Sequence, residues 1–374
     1  MAKLRVLFVQ PTALFGGIER ILLSTVRLLD RTRFEPHVVC LERGALVGML
    51  RDAGARTSVF PITHLRAAAN TTSTVVRLAH YIRCQRITLV HCNGQKSQVY
   101  GSLAATLAGV PCLYWLHHIP PARLGRDLLG DLAFLLPAAV RLTDSTAANE
   151  AARRHPLVRR APRVLWYGLE LEQFGIVGSG EPGDRAAARP HILCMGRIQP
   201  WKGQHVLVQA AAELKRAGHD LRITIVGSPS FAADDAYYRS LKDMVRSFGL
   251  QAMVDFVPHT SDVVAWYRRS DVVVHTSVAP EPFGLVLIEA LACGRPVIAT
   301  NAGGPLDITD HGRTAGLLVP PGDAQALARA IATLIDDPAL ARQLGREGRA
   351  RVERLYSARR MVDELQTLYE GIVR

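Results

Sequence analysis

The chain has 374 residues, 48% hydrophobic, 21% charged and 6% aromatic, with a formal net charge of +12. That composition excludes a disordered chain, and at ~100–200 residues per domain the length predicts two or three domains whose cores need no disulfide or metal staple. No apolar run approaches the ~20 residues that cross a bilayer, and the first ten residues do not read as a secretory leader, so a cytoplasmic protein is expected.

LRVLFVQ (Leu4–Gln10) is a short apolar run ending at Pro11, the pattern of a strand buried on both faces. Gly16-Gly17 and an apolar stretch at helical spacing, IERILLSTVRLLD, follow it. EPHVVCLER, TSVFPI, ITLVHCNG and PCLYWLHHIP are four further strand-like runs, with helical stretches between most of them. RLTDSTAANEAARR reads as a strand end, a Ser cap and a helix. Gly175–Pro190 is rich in Gly, Pro and charge and reads as a linker. The alternation then restarts with HILCMGRI, LRITIVG, VDFVPH, DVVVHTS, RPVIAT and GLLVPPG, separated by helices, and ends in a long helical region. The fold class expected is α/β: two doubly wound parallel sheets in succession, each with helices on both faces, whose ligands bind beyond the strand C-termini. The expected domains are 1–172, 173–355 and a final helix at 356–374 crossing back to the first.

Missing motifs narrow the chemistry. No GxGxxG follows a strand, and GxxxxGK[ST], HExxH and GxSxG are absent, so dinucleotide dehydrogenases, P-loop NTPases, zincins and serine hydrolases lack support. The six cysteines form no CxxC pair and mostly sit in apolar runs, which predicts free buried thiols.

Three segments carry chemistry. In GRIQPWKG (Gly196–Gly203), Arg197 and Lys202 flank a Pro-held loop between a strand and a helix. Two cations beside a helix N-terminus make an anion site, although two solvated surface charges would read the same way. In EPFGLVLIEA (Glu281–Ala290), Glu281 precedes a helix that starts near Gly284, and Glu289 falls in its second turn among Leu285, Val286 and Ile288. Carboxylates in such a setting suit sugar hydroxyls. In NAGGP (Asn301–Pro305), glycines would let the backbone approach a ligand.

These three segments, together with GLLVPPGDAQAL, resemble the donor half of the retaining glycosyltransferases of family 4, which have the GT-B fold. FGGIERILL (Phe15–Leu23), YWLHHIP, TDSTAANE and WYGLELEQF (Trp166–Phe174) extend the resemblance over nearly the whole chain. The resemblance implies a nucleotide-sugar donor, with Arg197 and Lys202 on its diphosphate, Glu289 on the ribose, Glu281 on the sugar and the Phe283, Gly284 and Leu285 segment beside it. It places Gly17 near the diphosphate, Gly227 and Val257 near the base, and His117 at the sugar and reaction centre. His118, Asn93 and Tyr167 are expected on the acceptor side. Tyr167-Gly168 stands where the family usually has Asn-Gly, Leu169-Glu170 where it usually has Val-Asp, and His118 where it often has Asp. Retention without a metal or other cofactor is implied. The cations stabilise the leaving diphosphate, which helps deprotonate the acceptor on the same face.

The excess charge is one-sided. Residues 1–170 hold 22 Lys and Arg against 10 Asp and Glu, and residues 171–374 hold 23 of each. A basic acceptor half suits a phosphorylated, glycan or lipid-linked acceptor and peripheral contact with an anionic membrane, as in synthesis of a cell-surface polysaccharide or glycolipid. Nucleic acid is not an expected partner, since no recognition helix or stacking pattern accompanies the charge. Ala122–Pro137 repeats Leu124, Leu128, Leu132 and Leu135 at helical spacing, either packing on the sheet or lying on a membrane. A phosphorylase or epimerase on the same fold is the alternative activity, with a non-catalytic nucleotide-sugar sensor behind it.

Overall fold

The computed structural model describes residues 3–14, 16–62, 68–175, 189–229 and 232–373. The expected linker lies mostly outside them, as does Phe15. The chain forms two compact units, Met1–Leu169 with Ser357–Arg374, and Glu170–Tyr356.

The first unit has seven strands: β1 (Leu4–Gln10), β2 (Phe34–Cys40), β3 (Arg56–Val59), β4 (Leu89–Asn93), β5 (Cys112–Leu116), β6 (Val140–Thr143) and β7 (Arg163–Val164). All pair in parallel in the order β3-β2-β1-β4-β5-β6-β7. Val6 to Val9 are fully buried, because helices cover both faces of a parallel sheet and no side of β1 meets water. The strand order reverses between β1 and β4, which opens a crevice at their C-terminal ends. Helix Ala358–Val373 buries Met361, Val362, Leu365 and Tyr369 in this unit. The Tyr369 hydroxyl donates to His91 Nδ1 at 2.7 Å, and Phe8 and Phe34 meet the Tyr369 ring edge-on. Burial pushes His91 down to about 3, so its imidazole is neutral and Nδ1 is free to accept.

The second unit has six parallel strands: β8 (His191–Met195), β9 (Arg222–Val226), β10 (Val254–Val257), β11 (Val272–His275), β12 (Val297–Thr300) and β13 (Gly316–Val319). Their order is β10-β9-β8-β11-β12-β13, so the reversal lies between β8 and β11. Helices Gln204–Arg216 and Ala324–Asp336 pack side by side on the core that contains Ile192, Ile223, Val272 and Ile298. Asp323 and Asp337 accept the free N–H groups of Ala326 (2.8 Å) and Leu340 (2.9 Å), which fixes where the last helices begin.

Two expectations need correction. Ala122–Pro137 is helical only over Leu128–Leu135, and its leucine stripe faces solvent while Gly130, Ala133 and Phe134 pack inward. Of the six free cysteines, Cys40, Cys92, Cys112 and Cys194 are buried, Cys293 is half-buried and Cys84 is exposed.

Candidate active site

In the second unit the expected donor residues gather around the β8/β11 reversal. Beyond β8 the chain passes Gly196 into a loop that crosses Gly227 so closely that a Cβ on Gly227 would stand 1.9 Å from the Gly196 carbonyl oxygen. A 3-10 turn, Pro200–Lys202, follows, and then Gly203 in the left-handed region (φ +68°). A Cβ on Gly203 would meet the Thr276 carbonyl oxygen at 2.0 Å, so only glycine lets the two loops touch. The Thr276 hydroxyl donates to the Lys202 carbonyl at 2.8 Å, and the Val278 N–H to the Trp201 carbonyl at 2.9 Å. The loops after β8 and β11 are thereby clamped together where this sheet type binds ligands.

Lys202 and Glu281, 79 positions apart, form an ion pair across the clamp at 2.5 Å. The same carboxylate oxygen accepts from His275 Nε2 and the Ser277 hydroxyl, each at 3.0 Å. Burial alone would raise the Glu281 carboxyl; the Lys202 ammonium and the His275 hydrogen bond outweigh it and hold the group well below the usual carboxylate range. The Lys202 ammonium also lies over the Trp201 ring at 4.2 Å. Arg197 differs: its side chain is exposed and makes no ion pair among the described residues, which leaves its planar fork open. Two cations of unlike restraint thus sit on the loop that leads into helix Gln204–Arg216, whose first turn is already tied down: the His205 N–H donates to the Tyr237 hydroxyl at 3.1 Å and the Val206 N–H to the Gly203 carbonyl at 2.8 Å.

Helix Leu285–Ala292 starts from Gly284, held at φ +108°. Phe283 buries its ring edge-on against Tyr356 at 5.8 Å, so it offers only backbone beside Glu281. Glu289 is buried and accepts from the Tyr267 hydroxyl at 2.7 Å, while Leu285 is half-buried at the helix start. Val257 ends β10, and its carbonyl accepts the Gly227 N–H at 2.9 Å. The NAGGP glycines are required by packing. A Cβ on Gly303 would meet the Glu281 carbonyl oxygen at 2.1 Å and one on Gly304 the Phe283 carbonyl oxygen at 2.3 Å. The Gly304 N–H already serves the Glu281 carbonyl at 2.8 Å, so these glycines hold the acidic loop in place.

The first unit gathers a second group at its β1/β4 reversal. His117 follows β5; its Nδ1 lies 2.5 Å from the Tyr167 hydroxyl and its Nε2 3.4 Å from Asn93 Oδ1. The Tyr167 proton goes to Asp144 Oδ2 at 3.0 Å, so Nδ1–H of His117 donates to Tyr167. Burial, with His91 and His118 nearby, pushes His117 well below its ordinary value and keeps it neutral. Gln10 Nε2 donates to Glu19 at 2.8 Å, and Asn93 Nδ2 to Gln10 Oε1 at 3.1 Å, so the Asn93 oxygen is what faces His117. A proton arriving at Nε2 would find that oxygen ready to accept. Burial and the Asp144 carboxylate raise the Tyr167 phenol well above its ordinary range, so it stays a donor. His118 turns elsewhere: its Nε2 accepts from Gln95 Nε2 at 2.7 Å, and the Gln95 amide also contacts Asp127. Gly17 is exposed at the start of helix Gly17–Leu28.

Gln10, Glu19, Asp144, Tyr267, His275 and Ser277 were not singled out by the sequence. Asp144 and Glu19 sit inside quoted motifs, and His275 closes an all-valine strand, which is the one signal each carried.

Residues 182–351 match the domain family described as glycosyl transferases group 1, and residues 15–169 match glycosyltransferase family 4. The D-inositol 3-phosphate glycosyltransferase of Pseudarthrobacter chlorophenolicus is 32% identical over 310 residues, covering 77% of this chain and 72% of that one. The chain belongs to the family 4 glycosyltransferases. This glycosyltransferase is also 32% identical to the D-inositol 3-phosphate glycosyltransferase of Saccharomonospora viridis, over 80% of its own length and 73% of the relative's. Its fold is GT-B: it matches the crystal structure of HepE from Anabaena in complex with UDP-glucose at a TM-score of 0.85 and 26% identity, covering 98% of this chain and 99% of that one.

Proposed function

We propose that this glycosyltransferase moves a hexose, with retention, from a nucleotide diphosphate donor to an anionic acceptor. The observation that carries the reading is the pairing of Lys202 with Glu281 at the sheet's reversal point, with an exposed Arg197 on the same loop as Lys202. Diphosphate departure develops negative charge. Arg197 offers a bidentate fork, and Lys202 has two further N–H donors besides the one engaged with Glu281. Glu281, kept ionised, accepts from sugar hydroxyls, and Glu289 accepts from the ribose. Neither carboxylate is assigned as a nucleophile. The leaving phosphate takes the acceptor proton on the face it vacates, and the two cations fill the role a metal has in other transferases. His117 is assigned to the sugar and the reaction centre through its match to the family histidine.

UDP-glucose is the favoured donor because the Anabaena HepE structure holds it at 26% identity over nearly the whole chain. For the acceptor, the relatives named D-inositol 3-phosphate glycosyltransferases favour a phosphorylated cyclitol, and the +12 balance of residues 1–170 suits its phosphate. A lipid-linked or glycan acceptor in cell-envelope synthesis is the second reading, favoured by the exposed leucine stripe of the same unit. The deciding experiment incubates the protein with UDP-, GDP- and ADP-sugars and D-inositol 3-phosphate, with and without chelator, and follows the anomeric signals by NMR. An α-linked product from an α-linked donor in the presence of chelator is expected. A free sugar phosphate or an epimerised donor, formed without acceptor, would replace this reading by the phosphorylase or epimerase alternative.

A further inference from the structure

Nine large apolar side chains stand exposed among the described residues, and four of them fall within one short stretch. Leu124 is 53% exposed, Leu128 75%, Leu132 43% and Leu135 64%. Leu128, Leu132 and Leu135 share one face of helix Leu128–Leu135, whose other face buries Ala133 and Phe134. Leu135 also lines a cavity of about 570 Å³ together with Val110, Phe134, Arg141, Arg159 and Arg160. This cavity lies at the N-terminal ends of β5 and β6, where Cys112 and Arg141 line it, and so at the opposite end of the sheet from His117. Arg141 donates to the Phe134 and Leu136 carbonyls at 3.1 and 3.0 Å, and its Nε is buried with no partner.

The charge around the stripe is more positive than a count suggests. Residues 122–163 hold eight arginines and four acids. Asp127 caps the Gly130 N–H at 3.0 Å, Asp131 accepts from Gly125 N (2.7 Å) and His155 Nε2 (3.0 Å), and Asp144 holds Tyr167. Three of the four acids are therefore turned inward. Arg123, Arg126, Arg153, Arg159 and Arg160 are exposed and make no ion pair among the described residues.

We propose that this face of the first unit docks on an anionic phospholipid bilayer, the leucines entering the acyl boundary and the arginines taking headgroup phosphates. Aliphatic side chains flanked by arginine are the composition of an interfacial helix. Protein interfaces concentrate Trp and Tyr and are poor in Leu at their hot spots, whereas no aromatic side chain joins this exposed stripe. Single-stranded nucleic acid would likewise need aromatic platforms. The cavity, with an apolar floor and guanidinium groups along it, suits one acyl chain and its phosphate.

Co-sedimentation of the full chain with phosphatidylcholine vesicles, with and without phosphatidylglycerol, tests this. The protein should pellet only with phosphatidylglycerol present, and added salt should release it. Arg159→Ala with Arg160→Ala should weaken binding about fivefold for each arginine. Leu128→Ser with Leu135→Ser should weaken it by at least about tenfold. All four side chains are away from the core, so unfolding midpoints should not move. Equal recovery on neutral and anionic vesicles, or full binding by the leucine variant, would overturn the proposal and leave the surface to a soluble polyanion or a protein partner. Binding is measured without donor or acceptor, so its failure would leave the transfer reading standing.

Discussion

Replacing Lys202 by Met separates the structural role of the ion pair from its role in binding. The variant leaves the Glu281 carboxylate with His275 and Ser277 but without a cation, in a site where both pair members are mostly buried (side-chain exposures of 18% and 11%). At 2.5 Å and an effective dielectric constant near 20, the attraction is roughly 7 kcal/mol, and desolvation cancels much of it. Removing one partner of a buried pair costs about 3–5 kcal/mol; partial access to water here argues for about 2–3. For a unit of this size that lowers the unfolding midpoint by roughly 5–10 °C. The pH dependence has a definite sign. Glu281 has a folded-state value below its unfolded one, so its contribution is complete above about pH 4.5 and fades as the pH falls through the acid range. The gap between wild type and Lys202→Met should therefore be full at neutral pH and should narrow progressively as the pH falls below about 4.5. Adding Glu281→Gln removes the stranded charge and should recover most of the lost stability. Thermal unfolding of the wild type, the single variant and the pair at neutral and acid pH is the assay. A single variant as stable as wild type at neutral pH, or a double variant no better than the single, would refute the reasoning.

Arg197→Ala should leave the unfolding midpoint unchanged, because the side chain is exposed and unpaired among the described residues, yet lower turnover roughly 10²-fold; steady-state kinetics beside a melt checks both halves. Tyr167→Phe removes the oxygen that receives His117 Nδ1–H and frees Asp144, so kcat should fall about tenfold with donor KM little changed and stability down by about 1–3 kcal/mol. An unchanged pH–rate profile in that variant would show that Tyr167 only fills space. Gly227→Ala puts a Cβ 1.9 Å from the Gly196 carbonyl oxygen at φ +157°, and soluble yield should collapse, with a cost of roughly 3 kcal/mol or more.

What the sequence made legible is what repeats or stays local. β1 was readable because Val6 to Val9 are buried on both faces, and Ser145 was readable as a cap because it accepts the Ala148 N–H three residues on, at 3.1 Å. β7 is two residues of sheet edge, too short to print a pattern. The leucine stripe had the right period and an unknowable side: spacing says which residues share a face, and only the neighbours decide whether that face is covered. The Lys202–Glu281 pair and the Asp144–Tyr167–His117 chain join residues 79, 23 and 50 positions apart, and no local preference encodes such contacts. Tyr167 had still left a trace, as the departure from the family's usual Asn, and the structure puts its hydroxyl against His117. A Gly-Gly turn such as Gly303-Gly304 looks the same from the sequence whether ligand or backbone presses on it, and here the backbone of Glu281 and Phe283 does.

Calorimetric titration of UDP, GDP and ADP into the wild type and Arg197→Ala tests the central claim most directly. One diphosphate should bind the wild type, and the Arg197→Ala variant should bind it at least about tenfold more weakly, a loss of ~1.4 kcal/mol or more. Equal affinity in the two proteins, or no binding of any of the three to the wild type, would contradict a diphosphate held at the β8/β11 reversal.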